Sequence, residues 1–123
     1  MTITGDAAGT IDALREPTRE LRRAAPETWK AFGAMHAAAL DDGVLSARTK
    51  ELIAVAIAVA TQCDGCIAYH AKAAARRGAS SEEVAEALGV ALLMSGGPGT
   101  VYGPRAWAAF QEFAGDGSSE SSG

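Results

Sequence analysis

The stretch ELIAVAIAVATQCDGCIAYHAKAAARRG, residues 51–78, decides what kind of protein this chain forms. It holds both cysteines, Cys63 and Cys66, with His70 four residues beyond the second. Ahead of them lies an apolar run that fits a strand or a helix. Three answers therefore compete: a thioredoxin-type strand feeding a redox helix, a zinc site, or a redox pair set between two helices. Ile53, Val55, Ile57 and Val59 alternate with alanine, a period-two pattern that suits a strand. Alanine, however, is a poor strand residue and the best helix former. Residues 47–61 contain no glycine or proline, and no other segment offers a partner strand. A lone strand has no sheet to join. The run is read as a helix.

Composition points the same way. A chain of 123 residues is a single domain, able to bury about two-thirds of its unfolded surface. Apolar residues make up 48% and aromatics only 6%, the difference being filled largely by 28 alanines. This predicts an all-α protein whose small side chains let helices pack closely. The net charge of -4 argues against sequence-independent nucleic-acid binding, which depends on clustered positive charge. The short basic runs Arg19, Arg22, Arg23 and Lys72, Arg76, Arg77 read as solvated faces and last turns of helices. The opening MTITGDAAGTIDALRE lacks the basic and apolar regions of a secretory signal. The longest apolar run, residues 52–60, is too short to span a membrane. These features give the expectation of a cytoplasmic protein with no membrane contact, where CxxC signals redox chemistry or metal more than a structural staple.

Punctuation along the chain divides it into a flexible N-terminus (1–10), a helical domain (11–114) and a disordered Gly/Ser tail (115–123). Pro17 and Pro26 each fit a first helical turn. A helix over about 26–40 sets Trp29, Phe32, Gly33, His36 and Leu40 along one side, and Gly43 follows as a terminator. Ser46 is a candidate N-cap for the next helix, and Gly78 ends the helix carrying the cysteines. Ser80 and Glu83 form a capping box before Val84, Leu88, Ala91 and Leu92, which recur at helical spacing. After GGPG the chain restarts with Trp107, Phe110 and Phe113 on one stripe, read as core or subunit interface.

With the run helical, a thioredoxin fold is excluded: it needs several strands and usually Trp-Cys-Gly-Pro-Cys, where this chain has Cys-Asp-Gly-Cys. The CxxC then lies at the turn between two helices, with Cys66 opening the second. Residues three apart share a helix face, within reach of a disulfide. Helix N-terminal amides stabilise a thiolate, so a depressed pKa is expected for at least one thiol. His70, four residues after Cys66, is placed to take its proton. The helix start favours Cys63 as thiolate and His70 favours Cys66, so spacing leaves open which is attacked first. Glu51 reads equally as a first-turn acid or a partner of this site, and His36 as a surface or core histidine. A zinc site from Cys63, Cys66, His70 and either His36 or Glu51 is the metal alternative. Against it stands the lack of a second closely spaced ligand pair, so no metal and no cofactor is called for.

Glu51, Cys63-Asp64-Gly65-Cys66, His70 and the following RRGASSEEVAEALGVALLMSGGPGTVYG resemble the alkylhydroperoxidase D (AhpD)-like, or carboxymuconolactone decarboxylase-like, superfamily over roughly residues 30–113. The Glu-x11-Cys-x2-Cys-x3-His spacing is its most specific part. The resemblance implies an AhpD-like helical fold with the CxxC between two antiparallel helices, in chains that associate as trimers or hexamers. It implies Cys66 as the peroxide-attacking thiol, Cys63 as the resolving thiol, His70 as the base and Glu51 behind it in a proton relay. The implied activity is that of a thiol-dependent peroxidase. Its partners would be a hydroperoxide and a dithiol reductant, a lipoyl protein or a thioredoxin-like one. Peroxidase members carry a histidine between the cysteines where this chain has Gly65, which bears on peroxidase efficiency more than on thiol redox activity. A dithiol/disulfide switch without efficient turnover is the main alternative. The decarboxylase branch generally lacks the CxxC, which sets lactone decarboxylation, like the structural zinc reading, further back.

Overall fold

Six helices follow one another in the computed structural model, which describes residues 6–122, with side chains as far as Gly115. They are α1 (Ala7–Ala24), α2 (Pro26–Leu40), α3 (Ala47–Ala60), α4 (Asp64–Arg76), α5 (Ser81–Ser95) and α6 (Gly99–Ser122). No strand occurs among the described residues, so the all-α reading holds.

The alternation that mimicked a strand has a helical explanation. Val55 and Val59, four apart on α3, point inward and are 1% and 0% exposed. Ile53 and Ile57, also four apart, lie on the opposite side and are 43% and 56% exposed. Two such pairs, offset by two residues, produce a period of two in sequence while each occupies a separate helical face. The core itself is built from small residues. Ala68, Ala71 and Ala74 of α4 and Ala106 and Ala109 of α6 are buried where those two helices pack most extensively. Alanine faces let helix axes approach closely, and Phe110 fills the remaining space at 1% exposure. Burying such a ring contributes about 2–3 kcal/mol. Of the expected aromatic stripe, Phe113 packs against this core and Trp107 stays partly exposed.

The caps show how local chemistry sets each boundary. Ser46 accepts from the Thr49 amide at the start of α3, and Ser80 and Glu83 form the capping box of α5. Gly78, at φ 84, closes α4: its amide bonds the Ala75 carbonyl and the Ala79 amide bonds that of Ala74. This is the left-handed termination that glycine favours. Gly99 starts α6 so close to α5 that a Cβ there would meet the Leu92 backbone at 3.3 Å.

Three boundaries differ from the sequence reading. Part of the segment read as flexible is helical, because α1 begins at Ala7, capped by Asp6, and buries Ala7 and Ile11 against the core. Residues 1–5 lie outside the described residues. Pro17 sits inside α1 and does not start a helix; it costs one donor on an exposed face, where water reaches the freed carbonyl. The backbone of α6 continues helically to Ser122, past the boundary drawn at residue 114. Extending an existing helix needs no new nucleus.

The end of α3 is unusual. Gln62 takes the left-handed conformation, φ 58, that glycine holds at Gly78, with the Cys63 amide bonding the Ala58 carbonyl. For a residue with a Cβ this conformation costs about 1–2 kcal/mol, and it falls immediately before the first cysteine. Gln62→Gly is expected to raise the melting temperature by about 2–5 °C; calorimetry showing a fall would mean that the Gln62 side chain itself stabilises the turn.

Candidate active site

The connection between α3 and α4 is only three residues, Thr61 to Cys63, so the two helices fold back as an antiparallel pair. That reversal sets Glu51, two turns and more before the end of α3, beside His70, two turns into α4. The Glu51 carboxylate, 4% exposed, accepts from His70 Nδ1 at 2.7 Å. A carboxylate only accepts, so the bond places a proton on Nδ1 and leaves Nε2 as the nitrogen turned away from Glu51.

Cys63 and Cys66 are joined as a disulfide with their α-carbons 5.2 Å apart. The helix opens earlier than the sequence reading had it: Cys63, not Cys66, stands at its head. Cys63 is the N-cap of α4, where its Sγ accepts the Cys66 amide at 3.1 Å. The sulfur thus occupies the place a Ser, Thr, Asp or Asn oxygen takes at most helix starts. Cys66 is the more exposed of the two. Cys63 holds the helix-end amide while Cys66 combines access with His70 one turn away on its own helix. For the zinc alternative, the cysteines are bonded to each other, and among the described residues no three His, Cys, Asp or Glu side chains are grouped as for a metal.

Charge around the pair is balanced from α6. Asp64, the first residue of α4, receives Arg105 Nη1 at 3.0 and 3.2 Å on its two oxygens. The Arg105 guanidinium also lies 4.6 Å from the centre of the Tyr102 ring. An unpaired carboxylate between two cysteines would oppose a thiolate; Arg105 offsets that charge while Asp64 keeps its favourable place at the helix N-terminus. A cavity of about 410 Å³ opens beside this ion pair, between α1, α4 and α6. Gly65 sits under α1, where an added Cβ would touch Leu14 Cδ1 at 3.4 Å.

Arg105 escaped the sequence reading, and His36 entered it beside His70 only as an alternative zinc ligand. Arg105 lies 41 residues from Asp64, with no local signal linking them. His36, on α2, is exposed as one of its two readings allowed, yet its ring stacks on that of His70, with centroids 6.0 Å apart and planes 21° from parallel.

Residues 26–114 match the carboxymuconolactone decarboxylase family. An uncharacterized protein of Cupriavidus necator is 39% identical over 108 residues, covering 88% of this chain and 96% of its own. An uncharacterized protein encoded in the cox locus of Paracoccus denitrificans is 42% identical over 96 residues, covering 78% of this chain and 86% of its own. Among solved structures, a carboxymuconolactone decarboxylase family protein from Legionella pneumophila superposes with a TM-score of 0.85 at 39% identity, over 88% of this chain and 96% of that one. A Thermotoga maritima protein of that family, for which a part in the antioxidative response has been suggested, gives 0.73 at 33% identity, over 85% and 88%.

The Glu51–His70 bond is open to a direct test. Glu51→Gln keeps the shape of the side chain and removes its charge, and is expected to lower stability by about 1 kcal/mol. Urea unfolding with an unmoved midpoint would show that the bond adds nothing to the fold.

Proposed function

The chain belongs to the carboxymuconolactone decarboxylase family, and on that premise we propose that it is a thiol-dependent peroxidase of the AhpD-like type, with Cys66 as the attacking thiol. The observation that supports this best is the Glu51–His70 pair, carried on the helical hairpin whose turn bears the disulfide-forming cysteines. The antioxidative role suggested for the Thermotoga maritima protein agrees with it.

In the reduced protein His70 Nε2 takes the Cys66 proton, and the imidazolium stays paired with Glu51. The thiolate attacks the distal oxygen of a hydroperoxide; the S–O bond forms, the O–O bond breaks, and the alkoxide leaves as alcohol with the proton from His70. Cys66 is then a sulfenic acid, oxidised by two electrons. Cys63 displaces hydroxide from it, giving the disulfide and water. A dithiol reductant, lipoyl or thioredoxin-like in class, returns the pair to thiols by exchange and becomes a disulfide itself.

Gly65 favours a second reading, because the histidine found between the cysteines of the family's peroxidases is absent. The pair would then act as a redox switch, oxidised once without turnover. Association into a trimer or hexamer belongs to the same proposal. It is supported by α2, which buries none of its residues, and by the apolar side chains Phe32, Met35, Ile53, Ile57, Leu93 and Met94 left exposed on α2, α3 and α5. A surface of that kind on so small a chain calls for a partner of matching shape.

Cys66→Ser is expected to abolish cumene hydroperoxide consumption with dithiothreitol as reductant, while Cys63→Ser accumulates a sulfenic acid that dimedone traps on Cys66. Undiminished consumption by Cys66→Ser would overturn the peroxidase reading; a single stoichiometric oxidation of the wild type would select the switch. Light scattering is expected to give three or six chains per particle, and Ile57→Glu to reduce that number. A monomeric wild type would contradict the assembly.

A further inference from the structure

We propose that His36 is a positioning residue of the thiol site, acting through an offset, near-parallel stack of its ring on that of His70. The proposal rests on the thiol-redox reading of Cys66 and His70 and adds a residue to it. Glu51 grips the His70 ring at one edge, through Nδ1. A single hydrogen bond at one edge leaves the ring free to rock about that contact, and with it the direction of Nε2. A second ring laid against its face removes that freedom. His36 supplies such a ring, within the range of offset aromatic stacking.

The stack does not end there. Phe32 lies 6.1 Å from His36, and Trp29 lies 6.4 Å from Phe32, so three rings spaced along one side of α2 lead to His70. The row lies outside the core of the single chain, since α2 places no residue there. What the row does reach is the ring that serves Cys66. The groups shown against His70 are Glu51 from α3 and His36 from α2: one fixes its edge, the other its plane.

The test compares His36→Ala with His36→Phe, which keeps a flat ring, in the reduced protein. Alkylation of Cys66 by iodoacetamide, followed by mass spectrometry from about pH 5 to 9, reports thiolate formation without requiring peroxide turnover. Failure of the peroxidase reading would therefore leave this readout intact. His36→Ala is expected to slow alkylation near neutral pH about tenfold and to move the rise of the profile to higher pH, with the unfolding midpoint unchanged. His36→Phe is expected to restore the wild-type rate within about twofold. A wild-type rate and profile in His36→Ala would overturn the proposal, as would a His36→Phe protein as slow as the alanine variant. Should His36→Ala fail to fold, His36→Gln against His36→Phe poses the same question, a flexible amide against a ring.

Discussion

The three-residue connection between α3 and α4 is the constraint on which the rest of the molecule depends. It forces two helices to run antiparallel, and that reversal carries a buried carboxylate to a histidine 19 positions away. It also sets Cys63 at the head of α4, where the sulfur takes over the duty of a capping oxygen. Lengthening the connection would loosen all three relations together. The chain holds it short at the expense of a left-handed glutamine, and Gln62 is the only residue other than glycine with positive φ among those described. Strain of this kind persists only where surrounding structure over-determines the backbone. Here the flanking hydrogen bonds to Ala58 and Val59 do so.

Around the hairpin, the core works through smallness. Alanine on the facing sides of α4 and α6 brings the backbones close, leaving few large side chains to fill the space between. This explains how a chain with so few aromatics forms a dense interior. It also explains why much apolar surface stays outside: Phe32 and Met35 of α2, Ile53 and Ile57 of α3, and Leu93 and Met94 of α5 have no place in so tight a centre.

Much of this was legible in the sequence because the signals were local. Helix caps at Ser46 and Ser80, the terminator Gly78 and the alanine content of the 53–60 run each act within a few residues. The turn between α3 and α4 followed from them and set Cys63, Cys66 and His70 together, whereas Glu51 entered the site only through the family resemblance. What was not legible depends on how separate helices meet. His36 lies on a helix with no buried face, so no periodicity betrays its contact with His70. Arg105 reaches Asp64 across the packing of α4 on α6, which no spacing rule encodes. The start of α1 carried a local signal in its N-cap, Asp6, which the sequence reading passed over; it is held as well by packing of Ala7 and Ile11 and by a side chain from the far end of the chain.

That last contact has its own bearing on the cysteines. Both oxygens of Glu112, on α6, accept from the first two amides of α1, Ala7 and Ala8. The same α1 lays Leu14 over Gly65, between the two cysteines. The roof of the thiol turn is therefore latched from a residue 47 positions downstream of Gly65. To swing clear of the turn from its N-terminal end, α1 must first give up two charge-assisted hydrogen bonds at that end. A change at the outer end of α6 thus reaches α1, the helix over Gly65, without touching the CxxC itself.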